Sequence, residues 1–236
     1  MRLSVPIHQL KRRAKLLSRD RGIPLHEALD LVARQEGFAR WSLLSARVPN
    51  HTTARNVLRG LDAGDMLLIG ARPGQGKTRL GMQLLLEAAR TGRHSVFFTL
   101  EYSEKEAAAL FRLMSGGAEA MATPDIVTSE EISADFLCRY LEGMPKGGLA
   151  VIDYLQILDQ KRSTPPIADQ LQSLRCFARS KGVILGFISQ VDRYFDPASK
   201  AVPSLNDIRL PNPIPAGIFD KTCFLHADEV RFQRVA

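Results

Sequence analysis

The sequence has 236 residues and a formal net charge of +7, which allows one domain of ordinary size with an appendage, or two small domains. Three scattered cysteines, without a C-x-x-C pair or a nearby histidine, argue against a disulfide framework and against a zinc site. No apolar targeting segment opens the sequence and no window approaches about 18 uninterrupted apolar residues, so we expect a cytoplasmic protein without a membrane span.

Positive charge is concentrated at the start of the chain. Residues 1–50 contain ten Lys or Arg and four Asp or Glu, a formal charge of +6, so the remaining residues are almost neutral. This asymmetry predicts a polyanionic partner such as nucleic acid for the front of the chain. A solvated basic helix face that only aids solubility is the alternative.

Apolar residues recur at helical spacing twice in this basic segment. They are Ile7, Leu10, Ala14 and Leu17, then Leu25, Ala28, Leu29 and Val32. A turn at 22–24 separates the two groups, Gly37 suits a helix C-cap, and Trp41 begins a third apolar segment. We therefore predict a small basic helical bundle over residues 1–48. It could contact DNA in a helix-turn-helix-like manner, or it could serve packing, oligomerisation or a protein partner.

From about residue 57 the pattern changes to short apolar runs that alternate with helical stretches, after a polar linker at 49–56. The predicted strands are Met66–Ile69, Ser95–Leu100, Leu149–Asp153, Val183–Ser189 and Thr222–His226. The predicted helices are Thr78–Thr91, Ser103–Ser115, Ile132–Glu142 and Ile167–Lys181. Near-continuous apolar strands separated by helices indicate an α/β domain over residues 57–236, with a mainly parallel sheet flanked by helices.

The stretch LLIGARPGQGKTRL, residues 67–80, joins the first predicted strand to the first helix through a glycine-rich loop. It departs from the phosphate-loop pattern G-x-x-x-x-G-K-[ST] at the first position, where Ala71 stands. Two glycines allow backbone N–H groups to turn toward a phosphate, a lysine adds a mobile cation, and a threonine offers its hydroxyl to Mg²⁺. We therefore predict that the loop binds ATP and Mg²⁺ through the following residues: Ala71, Arg72, Pro73, Gly74, Gln75, Gly76, Lys77, Thr78 and Arg79.

Polar residues that follow other predicted strands could serve phosphoryl transfer. Asp153 closes the run GGLAVID and could hold Mg²⁺ through its water shell. Glu101 closes SVFFTLE, and a parallel sheet would place it beside the phosphate strand, where it could orient the attacking water. Gln190 closes GFISQ and could sense the γ-phosphate. The predicted catalytic residues are thus Glu101, Lys77 and Gln190, and the predicted metal ligands are Thr78 and Asp153.

Five segments resemble, in the same order, the C-terminal motor of DnaB-type replicative DNA helicases. They are ARPGQGKT at 71–78, FFTLE at 97–101, VIDYLQ at 151–156, ISQVDR at 188–193 and PSLNDIR at 203–209. The similarity spans residues 52–228, and the family's own phosphate loop also begins with Ala. The resemblance implies a RecA-like core in which Lys77 and Thr78 bind ATP and Mg²⁺. It further implies that Glu101 polarises the attacking water, that Asp153 supports the metal, and that Gln190 couples nucleotide state to the following loop.

The resemblance also implies partners. In the family, the loops that correspond to 159–166 and 191–213 line a channel for single-stranded DNA. Basic groups beside aromatic rings suit that task, which makes Arg193, Lys200 and Arg209 the candidate DNA contacts. We therefore expect single-stranded DNA as a ligand and a homo-oligomeric ring, of which a hexamer is one form.

The sequence departs from the family at both ends of the motor. A small basic bundle stands where the family has a large helical domain, and the segment after Arg209 reads LPNPIPAGIFD. We also expect a motor shortened at its C-terminus, in which Arg231 and Arg234 are the nearest substitutes for the family's basic finger. Such a finger contributes about 10³–10⁵ in rate, so we expect weak or assisted hydrolysis. The alternative function is a nucleotide switch that controls partner or DNA association without unwinding.

Overall fold

The computed structural model describes residues 7–41, 43–44, 54–116, 123–159, 164–196, 200, 202–209, 212, 214–226 and 229–235. The chain divides into two compact units, Met1–His51 with Ala227–Glu229, and Thr52–His226 with Val230–Ala236. The predicted domain bounds 1–48, 49–56 and 57–236 stay a prediction, but residues 54–56 form the start of a helix rather than linker. Among the described residues, no helix is both long enough and apolar enough to cross a bilayer.

The N-terminal unit contains two packed helices, α1 (Ile7–Arg21) and α2 (Leu25–Gln35). Their common core consists of Leu10, Ala14, Ala28, Val32, Ala33 and Leu44, all buried. The apolar spacing in the sequence therefore identified the packed faces of both helices. Leu25 is an exception, because this predicted stripe residue at the start of α2 is 43% exposed.

Gly37 ends α2, as the sequence predicts. It has a φ of +83°, and its N–H donates to the Arg34 carbonyl at 3.0 Å while the Phe38 N–H donates to the Ala33 carbonyl at 2.9 Å. These two bonds form a Schellman motif, which satisfies carbonyls that the helix end would otherwise leave unpaired. The third predicted segment begins with helical residues at Trp41, but its positions 42 and 45–48 lie outside the described residues.

The second unit is an α/β domain with a mainly parallel sheet flanked by helices, as predicted. Its described helices are α3 (Ala54–Arg59), α4 (Lys77–Arg90), α5 (Glu104–Met114), α6 (Ala134–Tyr140) and α7 (Ile167–Lys181), with 3₁₀ turns at Leu155–Asp159 and Leu205–Asp207. Its described strands are β1 (Met66–Ala71), β2 (Ser95–Thr99), β3 (Asp125–Val127), β4 (Leu149–Asp153), β5 (Ile184–Gln190), β6 (Lys221–His226) and β7 (Glu229–Arg234). The strand order is β3-β2-β4-β5-β1-β6-β7, and every pairing from β3 to β6 is parallel.

The central strands are covered on both faces. Every residue of β1, β2 and β4 is buried. Alternate side chains point to opposite sides of the sheet. On one side of the sheet, a single apolar cluster contains residues of α6 and α7 together with Leu68, Phe98, Ile152 and Phe187. The cluster on the other side contains residues of α4 and α5 together with Leu67, Phe97, Val151 and Ile188. Burial on both faces explains why these strands read as continuous apolar runs.

Two strands, β3 and β7, were not predicted from the sequence. They stand at the two ends of the strand order, and each has intermediate and exposed residues instead of a buried run. An edge strand is half-exposed and often carries charge, so its sequence lacks the apolar run that identifies a central strand.

Charged side chains fix the amino-terminal edge of the sheet, where β1 and β6 begin. Asp220 accepts hydrogen bonds from the Met66 backbone N–H at 3.0 Å and from the Arg175 guanidinium at 3.0 Å. The next residue, Lys221, is buried and its ammonium lies 3.3 Å from the Asp65 carboxylate. These contacts join the starts of two neighbouring strands to α7.

Candidate nucleotide-binding site

The predicted phosphate loop joins β1 to α4 at the carboxyl edge of the sheet. β1 extends past the predicted Ile69 to Ala71, and the exposed loop 73–76 leads into α4 at Lys77. Gly74 and Gly76 have φ values of +74° and +85°, a conformation that residues with a Cβ atom rarely adopt. No heavy atom lies within 4 Å of a Cβ built on either glycine. The backbone torsions, and not lack of space, therefore require glycine at both positions.

Two further glycines, Gly70 and Gly81, position the loop. A Cβ on Gly81 would lie 2.8 Å from Ile188 and 3.1 Å from Val151, so glycine lets the first turns of α4 lie against β4 and β5. A Cβ on Gly70 would lie 2.4 Å from the Phe224 ring on the neighbouring β6. Glycine inside a helix costs about 0.5–1 kcal/mol relative to alanine, so Gly81 in the predicted helix was itself a signal of close packing.

The remaining loop residues differ in their exposure. Arg72 and Thr78 are partly buried, whereas Pro73, Gln75 and Arg79 are exposed. The Gln75 N–H donates to the Arg72 carbonyl at 3.3 Å, which closes the turn before the helix. The loop thus presents its backbone to solvent at the N-terminus of α4, where helix N–H groups favour an anion.

Asp153, the last residue of β4, is fully buried. Among the described residues, neither of its carboxylate oxygens completes a hydrogen bond of normal geometry. The pKa of Asp153 is raised from 3.8 to about 6, because burial and the charge of Glu101, which raise it, outweigh the Thr78 hydroxyl and the Lys77 ammonium, which lower it. The predicted metal ligands Asp153 and Thr78 therefore lie together with Lys77 and Glu101 at one edge of the sheet. A buried, unsatisfied carboxylate is costly unless a cation or donor completes it.

The structure corrects the expected position of Glu101. We expected this residue beside the phosphate strand β1, but β4 and β5 lie between β2 and β1. Thr99 pairs with Asp153 in the sheet, and the Glu101 N–H donates to the Thr99 hydroxyl at 3.1 Å. Glu101 is exposed and follows the strand that neighbours the Asp153 strand. Strand order depends on long-range packing, so the order of the strands along the sequence does not reveal which of them are neighbours.

Tyr102, which follows Glu101, is a residue of this site that sequence reasoning missed. Burial raises the pKa of the Tyr102 phenol, and the charges of Asp153, Glu101 and Glu106 raise it further. The phenol therefore stays protonated next to the acidic group, and it remains available as a hydrogen-bond donor. No pattern in the sequence indicates this role, because Tyr102 lies outside the strand-end pattern.

Gln190, the last residue of β5, pairs directly with Ala71 at the start of the loop. The following Val191 N–H donates to the Ala71 carbonyl at 3.0 Å, and the Gln190 carbonyl accepts from the Arg209 N–H at 2.8 Å. The structure thus joins the end of the phosphate strand to the segment that carries Arg209.

Gln156 strengthens this connection, a role that the sequence analysis did not assign. Its side-chain amide donates to the Ser189 hydroxyl at 3.2 Å and to the Arg209 carbonyl at 2.7 Å. Its buried Oε1 has no hydrogen-bond partner among the described residues. The motif VIDYLQ therefore supplies both the buried acid and, three residues later, an amide that holds the Arg209 segment against β5.

The three predicted DNA contacts differ in whether their charges are exposed or already paired within the protein. Arg193 is exposed, and its guanidinium lies 5.2 Å from the centre of the Tyr194 ring, which is itself 80% exposed. The Lys200 ammonium pairs with the Asp207 carboxylate at 2.5 Å, so its charge is already compensated. The Arg209 side chain is exposed.

The remaining predicted residues are the candidate finger arginines and the loop 159–166. Arg231 and Arg234 are exposed residues of β7. In the loop 159–166, positions 160–163 lie outside the described residues. The structure therefore places the predicted nucleotide-binding residues together at the carboxyl edge of the sheet, and the DNA and finger assignments stay predictions.

Part of the chain matches a known family. Residues 51–122 match the model of the DnaB-like helicase C terminal domain. The replicative DNA helicase DnaB of Helicobacter pylori (strain ATCC 700392 / 26695) is 26% identical over 220 residues, which is 78% of this chain and 44% of that protein. The corresponding protein of Treponema pallidum (strain Nichols) is 26% identical over 209 residues, 75% of this chain and 47% of that protein. The chain thus spans about half the length of these curated relatives.

Solved structures show the same fold. An ATPase domain has a TM-score of 0.57 and 17% identity, covering 79% of this chain and 80% of its own. A DnaB-like replicative helicase, solved with its interactions with primase, has a TM-score of 0.57 and 14% identity over 92% of this chain and 64% of its own. With the family match, these comparisons confirm the predicted resemblance: residues 51–122 are similar to the DnaB-like helicase C terminal domain, and the α/β domain shares its fold with these two solved structures.

Proposed function

We propose that this chain binds ATP with Mg²⁺ at loop 71–79, hydrolyses it, and uses the nucleotide cycle to act on DNA as a helicase or translocase. The observation that carries the proposal is the fully buried carboxylate of Asp153, whose oxygens complete no hydrogen bond of normal geometry among the described residues. Thr78 and Lys77, the two residues that open α4 after the glycine loop, lower the pKa of this carboxyl group.

The residues fit the proposed ligands. Mg²⁺ prefers oxygen ligands, directly or through water, and Asp153 and Thr78 offer a carboxylate and a hydroxyl. The exposed backbone of 73–76 and the Lys77 ammonium suit a polyphosphate. When bound, Mg²⁺ and ATP supply the transferable phosphoryl group and the neutralising charge. The unsatisfied carboxylate of Asp153 supports the proposal, because a bound Mg²⁺ would compensate its charge.

The chain's own residues have distinct roles in this proposal. Lys77 holds the phosphates, and Glu101, exposed beside the Asp153 strand, orients and deprotonates the attacking water. Gln190 reports nucleotide state, because its carbonyl binds the Arg209 N–H and its strand partner is Ala71. A change at the loop is thereby passed to the segment that carries Arg209.

DNA is the proposed substrate of this motor. Arg193 beside the exposed Tyr194 ring combines a cation for phosphate with a surface on which a base could stack. Arg209 adds a second exposed cation, and Lys200 would have to exchange its Asp207 partner for phosphate. The resemblance to DnaB-type motors supports single-stranded DNA, a homo-oligomeric ring such as a hexamer, and a cytoplasmic location. A protein partner for residues 1–48 also belongs to the proposal.

The first test is nucleotide binding by Lys77→Ala. We expect affinity for a fluorescent ATP analogue with Mg²⁺ to fall about 10- to 100-fold, as expected for the loss of charged hydrogen bonds, with an unchanged circular dichroism spectrum. Lys105→Ala, which removes an exposed lysine of α5, is the matched control. Equal affinity in the Lys77 variant and the control would contradict the phosphate-loop assignment.

The second test separates binding from hydrolysis. Glu101→Gln should bind the analogue normally but turn over about 10²–10⁴-fold more slowly, whereas Glu104→Gln, an exposed neighbour, should not. Stimulation of the wild-type rate by single-stranded DNA, with mass measured by light scattering, distinguishes a motor from a nucleotide switch. Unchanged turnover in Glu101→Gln would remove this residue from the catalytic set.

A further inference from the structure

Helix α1 contains most of the chain's net charge. Its sequence IHQLKRRAKLLSRDR has six Lys or Arg and one Asp, a formal charge of +5, whereas the whole chain has +7. A helix of 15 residues therefore concentrates a charge that the proposed nucleotide chemistry does not use.

Three of the six basic residues lie on one face of the helix. Leu10 and Ala14 are fully buried in the core of the N-terminal unit. At 100° per residue, Arg12, Lys15 and Arg19 lie on the side opposite that core, and all three are exposed. At 1.5 Å rise per residue they span about 10 Å along the helix axis. We refer to these three residues as the basic stripe.

The basic stripe is not neutralised within the described part of the chain. None of its three cations takes part in an ion pair among the described residues. Asp30 on α2 accepts a hydrogen bond from the Trp41 backbone N–H at 2.8 Å, which gives that acid a structural role. Three like charges on one helix repel each other, so a polyanion would relieve a cost that the fold itself does not offset.

The helix is also held in a fixed position. The Ser18 hydroxyl donates to the Ile23 carbonyl at 2.7 Å across the turn between α1 and α2. With the shared apolar core, this bond keeps the stripe on a rigid surface. A pre-ordered set of cations binds phosphates without the cost of ordering the helix first.

We propose that the basic stripe of α1 binds the phosphate backbone of duplex DNA, without reading its sequence. An anionic membrane is a poorer partner, because the apolar face that would insert into lipid is packed in the bundle. Single-stranded DNA is also a poorer partner, because α1 contains no Phe, Tyr or Trp on which bases could stack. This site belongs to the N-terminal unit and does not depend on nucleotide binding by the second unit.

The test measures binding of the full chain to a 20-base-pair fluorescent duplex as a function of salt. A variant with Arg12→Gln, Lys15→Gln and Arg19→Gln should lower the magnitude of the slope of log affinity against log salt by about 2.7, from about 0.9 per lost phosphate contact. A control with Arg59→Gln, Arg112→Gln and Arg139→Gln, all exposed in the wild type, removes the same charge from the second unit. Arg12→Lys with Arg19→Lys keeps the charge and should keep the slope.

The outcomes distinguish a failure of this proposal from a failure of the proposed function. Support requires a reduced slope in the stripe variant alone, with a wild-type circular dichroism spectrum and unchanged affinity for the fluorescent ATP analogue. An equal slope in stripe and control variants overturns the proposal, as does wild-type protein that fails to bind the duplex at 50 mM salt. Binding of the stripe only to phosphatidylserine vesicles, or only to oligo-dT, would also overturn it. If the stripe variant unfolds, the variant with Arg12→Lys and Arg19→Lys decides the matter. A smaller slope of log affinity against log salt in that variant would contradict a contact based on charge.

Discussion

The aspartates at the two edges of the central sheet have opposite environments. At the amino edge, the Asp220 side chain is only 18% exposed, but it accepts from the Met66 N–H, from Arg175 and from Arg179. At the carboxyl edge, Asp153 is fully buried, and its oxygens complete no hydrogen bond among the described residues. The first aspartate fixes the fold, whereas the second is an anion that the fold does not satisfy.

This difference distinguishes structural from functional acids in the same sheet. A buried carboxylate without partners destabilises the folded protein, so a fold has no structural reason to keep one. At the edge where parallel strands end and a glycine loop opens, the unsatisfied charge is suited to a cation that arrives with a ligand. The amino edge shows that this chain can satisfy an aspartate when its role is structural.

The largest expected effect on stability comes from replacing Asp220, whose carboxylate has several hydrogen-bond donors. Asp220→Ala should reduce the free energy of unfolding by about 3–5 kcal/mol, because it leaves the charge of the partly buried Arg175 guanidinium uncompensated and the Met66 N–H without its acceptor. Asp220→Asn keeps an oxygen acceptor and should cost less. Urea denaturation followed by circular dichroism measures both, and equal stability of Asp220→Ala and wild type would contradict the structural role.

Replacing Asp153 should have the opposite effect and raise the free energy of unfolding at neutral pH. Because its pKa rises from 3.8 to about 6 on folding, the folded state holds a proton that the unfolded state has released between these pH values. The free energy of unfolding therefore falls as pH rises from about 4 to 6, by about 3 kcal/mol in total.

Asp153→Asn should remove this pH dependence and make the metal-free protein more stable at pH 7, while weakening Mg²⁺-dependent binding of the ATP analogue. Denaturation from pH 4 to 7 in EDTA checks the stability, and Asp135→Asn, exposed on α6, is the control. A variant less stable than wild type at pH 7 would show that Asp153 has a structural partner.

A smaller effect is expected at Gln156, which also lies at the carboxyl edge. Gln156→Leu should cost about 1–2 kcal/mol, because the Ser189 hydroxyl and the Arg209 carbonyl lose a donor. If the amide couples the loop to the Arg209 segment, stimulation of ATP turnover by single-stranded DNA should fall several-fold while the KM for ATP is unchanged. Gln172→Leu, exposed on α7, is the control, and normal stimulation in Gln156→Leu would limit this residue to packing.

The smallest effect is expected at Lys221 on the amino edge. Its ammonium is paired with Asp62, which is 78% exposed, and with Asp65, which also accepts the Asp62 N–H at 2.9 Å. Both acids remain hydrated or hydrogen-bonded without the lysine, so Lys221→Met should cost no more than about 1 kcal/mol. A loss as large as that of Asp220→Ala would show that the two charged groups of this edge act as one network.

Several parts of the fold could be predicted because their signals are local. The β4 run Leu149–Asp153 and the helix Ile167–Lys181 have the predicted bounds, since burial on two faces and helical periodicity both leave a direct trace in the sequence. The loop between Ala71 and Thr78 was identified for the same reason, because torsional freedom, a cation and a hydroxyl are properties of the residues themselves.

The sequence by itself determined which groups are available: a glycine loop with Lys77 and Thr78, an acid at the end of a buried strand, and a helix rich in arginine and lysine. Only the tertiary structure decided which groups meet. It placed Glu101 beside the Asp153 strand instead of the phosphate strand, paired Lys200 with Asp207, and brought Gln156 to the Arg209 carbonyl. The physical reason is that strand order and side-chain pairing depend on contacts between residues far apart in the chain, which leave no periodic pattern in the residues between them.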